Sequence, residues 1–214
     1  MVAGPAGQIE VVVDWPSNRA VGVAFVGHPH PLFGGTLDNK VAATLARSFV
    51  AAGWAAVRPN FRGVGASAGT HDEGRGETED FVHIIETARE WSGGGLDPAP
   101  ALALGGFSFG SFVAAQACAR LSAAQRPPKH LVLIGAAAGK WAMPAVPPHT
   151  LAIHGELDET IPLADVFIWA RPQELPIVVL PGADHFFHRR LSTLKRLVVA
   201  HLQTRAFDAA RQDD

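Results

Sequence analysis

The sequence predicts an α/β fold in three layers: a mostly parallel central sheet, helices on both faces, and no large cap domain. Three observations carry that prediction. Short apolar runs alternate with stretches of helical spacing along the whole chain, the rhythm of βαβ units. The central runs AVGVAFV (20–26), ALAL (101–104) and LVLI (131–134) are nearly continuous, as in strands covered on both sides. The chain has 214 residues, 48% of them hydrophobic, enough for one domain with its own core. We place that single domain at 1–214, its core at about 5–203 and a polar tail at 204–214.

The elements follow in order. Residues 9–13 are a β-branched run stopped by Asp14, Trp15 and Pro16. The run 20–26 is a strand ending at Gly27-His28-Pro29. Residues 37–52 recur at helical spacing through Leu45, Phe49 and Ala52 and stop at Gly53. Residues 55–57 lead through Arg58-Pro59-Asn60 as a third strand. A Gly-rich loop, 63–76, precedes a helix from about Glu77 to Trp91, and Gly93 to Gly95 with Asp97-Pro98 form a turn. Strand 101–104, helix 109–121 and strand 131–134 come next. Residues 135–148, rich in Ala and Pro, read as a loop bordering the substrate site. Strand 150–153, helix 161–170, strand 177–180 and helix 191–202 complete the chain.

Composition removes several functions. Eighteen Lys and Arg against twenty Asp and Glu leave a formal charge of -2, without the basic stripe that nucleic acid requires. The uncharged stretch 98–119 is long enough to cross a bilayer, but its prolines and its central glycines suit a strand turning into a helix. The one cysteine, Cys118, asks for no oxidising compartment, and the first residues lack the pattern of a signal peptide. The expectation is a cytoplasmic protein without a nucleic-acid or membrane partner. Oligomeric state is not legible.

The chemistry concentrates at Gly106-Phe107-Ser108-Phe109-Gly110. A G-x-S-x-G run between a buried strand and a helix is a sharp turn that lifts Ser108 above the carboxyl edge of the sheet. A serine hydroxyl needs a base, and in this architecture the acid and then a histidine follow it along the chain. Asp158 follows the strand at 150–153, and His185 follows the strand at 177–180, so both fall on loops at the same edge. Glu156, Glu159 and Asp184 are rival acids. Asp184 adjoins His185, and its simplest role is to fix the loop. The N–H of Phe109 is one candidate oxyanion donor. The other is the N–H of His30, with Leu32 in reserve, because Pro29 and Pro31 have none. Phe107, Phe186, Phe187 and Trp141 are candidate pocket walls. His28 and His30 invite a metal reading, but no further ligands follow them, and the glycines at 63–69 lack a dinucleotide pattern. No cofactor or metal is expected. His71, His83, His130, His149, His188 and His201 read as surface or rim, His154 as packing at a strand end, and Cys118 as a buried thiol.

The segments GHPHPLFGGTLDNKV (27–41), PNFRGVGASAGTHDEGRGETED (59–80), GFSFG (106–110), IHGELDETIPL (153–163) and LPGADHFFHRRL (180–191) resemble the α/β-hydrolase superfamily, and within it the small lidless bacterial serine hydrolases related to dienelactone hydrolases. The resemblance implies an α/β-hydrolase fold, a triad of Ser108, Asp158 and His185, and a two-step reaction through an acyl-enzyme. Dienelactone hydrolases carry a cysteine where this chain has Ser108, so opening of a dienelactone is not implied. The resulting expectation is hydrolysis of small carboxylic esters or thioesters. A peptidase or amidase with the same triad, and a non-enzymatic interaction protein on this scaffold, are the competing readings.

Overall fold

The structure, a computed structural model, describes residues 1–88 and 101–210, the last six by backbone alone. The expected turn at 93–98, the helix end at Trp91 and residues 211–214 of the expected tail lie outside the described residues.

Among the described residues there are nine strands: β1 (Val2–Gly4), β2 (Gly7–Ile9), β3 (Val11–Asp14), β4 (Gly22–Gly27), β5 (Ala55–Pro59), β6 (Ala101–Phe107), β7 (His130–Ile134), β8 (Leu151–Gly155) and β9 (Ile177–Leu180). Five α-helices join them: α1 (Lys40–Ala51), α2 (Arg75–Thr87), α3 (Phe109–Ala123), α4 (Leu163–Ala170) and α5 (Leu191–Ala210). The main sheet has seven strands in the order β3-β5-β4-β6-β7-β8-β9. Only β3 runs antiparallel to its neighbour. No separate cap domain is present among the described residues.

Period-two alternation divides the core between the two faces. Val23, Phe25, Leu104, Leu131 and Leu133 point to one side, where α2, α3 and α4 bring Phe81, Ile84, Val113 and Val166. Ala24, Val26, Ala103, Val132 and Ile134 point to the other, against Leu45 and Phe49 of α1 and Leu194 and Val198 of α5. Burial on both sides explains why these strands read as unbroken apolar runs. No helix among the described residues is long and apolar enough to cross a membrane. Residues 101–119 instead divide into β6, one turn residue and part of α3.

Some expected boundaries move. The run at 9–13 is split between β2 and β3, and β2 pairs with β1 in a separate two-stranded sheet. Helix α2 begins at Arg75, two residues early, because the Glu77 carboxylate reaches back to accept the Gly74 N–H at 2.8 Å. Helix α5 continues to Ala210 through what reads as tail, since residues 203–210 hold neither Gly nor Pro to stop it.

The site depends on how closely α3 approaches β4 and β6. A Cβ on Gly106 would lie 2.0 Å from the Gly110 carbonyl oxygen, and one on Gly110 would lie 2.3 Å from that of Gly27. These contacts are backbone on backbone, so a methyl group there forces α3 away from the sheet. Gly106→Ala and Gly110→Ala are each expected to lower stability by about 1–3 kcal/mol, the usual cost of overpacking. Urea unfolding midpoints check this, and values equal to wild type would mean that α3 shifts freely.

Candidate active site

Ser108 is the single residue between β6 and α3, with φ 56° and ψ -122°. A left-handed φ on a residue with a side chain is strained and persists only when its surroundings over-determine it. Here the Ser108 N–H donates to the Ile134 carbonyl at 2.9 Å, and the Ser108 carbonyl accepts the Ser111 N–H at 2.8 Å. The Ser111 hydroxyl donates to the same carbonyl at 2.5 Å and accepts the Ala137 N–H at 3.1 Å. The Ser108 hydroxyl is thereby fixed at the carboxyl edge of the sheet, in a residue only 8% exposed.

The structure brings the three residues singled out in sequence into one hydrogen-bonded chain. The Ser108 hydroxyl lies 3.0 Å from His185 Nε2, and His185 Nδ1 lies 2.6 Å from Asp158 Oδ2. Nδ1–H donation to the carboxylate leaves Nε2 as the acceptor for the serine proton. The other carboxylate oxygen accepts the N–H groups of Thr160 at 2.9 Å and Ile161 at 2.8 Å, so Asp158 is held on both sides. His154, four residues upstream, places Nε2 3.4 Å from Asp158 Oδ2 while donating to the Ile161 carbonyl at 2.9 Å. Burial pulls the His154 pKa down, more than the bond to Ile161 and the charge of Asp158 raise it.

Two of the three rival acids are committed elsewhere. Glu156 accepts the Gly182 N–H at 2.8 Å, tying the acid loop to the histidine loop. Asp184 turns away to His188, accepting its N–H at 3.0 Å and facing its Nδ1 at 2.6 Å. That bond to His188 is the main cause that lowers the Asp184 pKa. Glu159 stands at the mouth of the cavity described next.

A cavity of about 470 Å3 opens beside Ser108, lined by His30, Phe33, Phe109, Lys140, Trp141 and Ile161 among others. Of the four aromatic residues expected as pocket walls, Trp141 lines this cavity. Phe107 and Phe187 do not line the cavity. Both are 0% exposed, and the Phe107 ring backs the His185 imidazole at 4.9 Å. Their place in the strand and loop pattern cannot tell a wall from its backing. Phe186 is half exposed and packs edge-on to His185 at 5.1 Å, outside the cavity lining. A larger recess of about 530 Å3 lies at the amino ends of β4 and β6, away from Ser108. None of Ser108, Asp158 and His185 lines it, so the site rests on the Ser108 cavity.

The loop after β4 supplies the far wall. His28 is fully buried, its Nδ1–H donating to the Pro29 carbonyl at 2.7 Å and its Nε2 accepting the Phe61 N–H at 3.0 Å. Both ring nitrogens are thus engaged, which removes His28 as a metal ligand. Among the described residues no group of three or more His, Cys, Asp or Glu could hold a metal. His30 accepts the Leu32 N–H on Nδ1 at 3.2 Å, so Leu32 is not available as an oxyanion donor. The N–H of Phe109, the first residue of α3, has no partner within the helix.

Sequence reasoning missed several neighbours. His71 is not a rim residue: its side chain is nearly buried, with Nδ1 2.8 Å from the buried Glu77 carboxylate and its ring 4.7 Å from that of His30. His130 is also buried, edge-on to Trp54 at 5.4 Å. His154 could have been found from its i, i+4 spacing to Asp158. Phe33 sits within the HPHPLFGG run and received no role.

A sequence model of the alpha/beta hydrolase fold matches residues 30–159. A serine hydrolase of Xanthomonas campestris described as lacking a lid is 35% identical, with a TM-score of 0.81 over 94% of this chain and 91% of its own. An alpha-beta serine hydrolase homologue from Coxiella burnetii is 34% identical, with a TM-score of 0.77 over 94% of this chain and 95% of its own. An uncharacterised protein of Rickettsia prowazekii (strain Madrid E) is 37% identical over 113 residues, which are 53% of this chain and 46% of that protein. The matched part thus spans less than half the length of that curated relative.

Burial lowers the His28 pKa from 6.5 to about 4, outweighing the hydrogen bond to Pro29. The unfolded chain takes up this proton near pH 6.5 and the folded chain only near pH 4. The contribution is therefore complete above the unfolded value and is lost as pH falls toward the folded one. Over that window His28 should remove roughly 3 kcal/mol of stability. Urea unfolding as a function of pH should show a shallower acid loss in His28→Asn than in wild type, from a lower starting stability. Parallel pH curves would show that His28 does not carry this linkage.

Proposed function

The chain belongs to the alpha/beta hydrolase fold family, and from that premise we propose a serine hydrolase that cleaves small carboxylic esters or thioesters through an acyl-enzyme. The observation that carries this reading is the continuous hydrogen-bonded chain from Ser108 through His185 to Asp158.

In the first step the Ser108 oxygen attacks the substrate carbonyl carbon while its proton passes to His185 Nε2. Asp158 stabilises the resulting imidazolium and keeps Nδ1 protonated throughout. The negative oxygen of the tetrahedral intermediate is received by the N–H groups of Phe109 and His30, each worth roughly 3–4 kcal/mol of barrier. As the carbon–oxygen or carbon–sulfur bond breaks, His185 returns its proton to the leaving group. Water then repeats the sequence on the acyl-enzyme, releasing the acid and restoring Ser108.

The uncovered cavity of about 470 Å3 suits a small substrate rather than a long lipid chain. No cofactor is required by these steps. The lone buried Cys118 needs no oxidising compartment, which favours a cytoplasmic setting, and the formal charge of -2 favours no nucleic-acid partner.

A fluorophosphonate is expected to label wild-type protein stoichiometrically and leave Ser108→Ala unlabelled. Asp158→Asn is expected to lower kcat on p-nitrophenyl esters by about ten-thousandfold, because the wrong imidazole tautomer is then favoured. Wild-type protein that is neither labelled nor active on such esters would end this reading.

A further inference from the structure

Phe33 is the most exposed large apolar side chain among the described residues, at 87%, and it stands at the lip of the Ser108 cavity. Its exposure is not looseness. Residues Pro31–Phe33 form a 3-10 turn whose Phe33 and Gly35 N–H groups both donate to the His30 carbonyl, at 3.1 and 3.0 Å. Gly35 lies so close to the Pro29 carbonyl that a Cβ there would sit 2.1 Å from its oxygen. A rigid turn therefore presents an aromatic ring to solvent at the entrance of the site.

Behind that lip the rings are continuous. His30 lies 4.7 Å from Phe33, 5.0 Å from Phe109 and 5.7 Å from Trp141, and Phe109 meets Trp141 edge-on at 4.9 Å. These are the separations at which aromatic rings attract one another. Trp141 is fixed from behind by stacking on Phe112 at 5.2 Å. Burial and the neighbouring His71 lower the His30 pKa, favouring the neutral ring in this wall.

The direction of the cavity assigns it to one half of the substrate. His185 must reach the leaving atom to protonate it, so the leaving group lies on the His185 side, beside half-exposed Phe186. The ring-lined cavity has Ser108 but neither His185 nor Phe186 in its lining, so on the serine-hydrolase reading it is the side open to the other substituent of the carbonyl carbon. We propose that His30, Phe33, Phe109 and Trp141 form an acyl subsite selective for an aromatic acyl group, as in esters of aryl or arylalkyl carboxylic acids. This rests on the serine-hydrolase reading above and narrows its substrate class.

The test holds the leaving group constant and varies the acyl group, using p-nitrophenyl butanoate, 3-cyclohexylpropanoate and 3-phenylpropanoate. Wild type is expected to prefer the phenyl ester over both others by about tenfold in kcat/KM, expressed mainly in KM. Phe33→Ala, a change at an exposed position, should cut the phenyl-to-butanoyl ratio by about five- to tenfold. Preference for butanoate, equal use of the cyclohexyl and phenyl esters, or an unchanged ratio in Phe33→Ala overturns the aromatic subsite while leaving the hydrolase intact. Failure to turn over all three esters overturns both.

Discussion

The conformation of one residue organises this molecule. Ser108 must pass from strand to helix without an intervening loop, and its left-handed backbone is the geometric consequence. Strain of that kind costs of order 1–3 kcal/mol, and here it is held by the Ile134 carbonyl, the Ser111 side chain and the glycine contacts beneath α3. Each restraint comes from a different element: β7, α3 itself, and the end of β4. The sheet order that sets β4 and β7 on either side of β6 is therefore a requirement of the serine's position.

The other two residues of the chain are placed by bonds between loops. Glu156 joins its loop to Gly182, and the Leu157 N–H donates to the Ala183 carbonyl at 2.9 Å. Asp158 and His185 are thus carried on two segments hydrogen-bonded to each other. The carboxylate needs no counter-charge to stay in place, since two backbone N–H groups and an imidazole occupy its oxygens. Burying it completely keeps competing water from the bond to His185.

How much of this was legible depended on the kind of information each feature required. Ser108, Asp158 and His185 could be read because strand ends and chain order fix which edge of the sheet a loop occupies. Phe107 and Phe187 could not, because alternation assigns a side chain to a face but says nothing of what stands between it and solvent. The hairpin of β1 and β2 escaped notice because VAG and GQI, three residues each, are too short to show a period. His71 and His130 were misread because an isolated histidine carries no periodic signal, and their partners Glu77 and Trp54 are fixed only by tertiary packing.

Among the described residues no separate cap domain covers Ser108, and on the proposed hydrolase reading this has a kinetic consequence. Many hydrolytic enzymes spend part of each cycle opening and closing a flap, and that motion limits their turnover. On the proposed serine-hydrolase reading, a bowl without a flap has no such step, so substrate entry and product escape do not wait on a closing motion. Discrimination then rests on the fixed shape and chemistry of the bowl itself, with no closing motion to reject a poor fit.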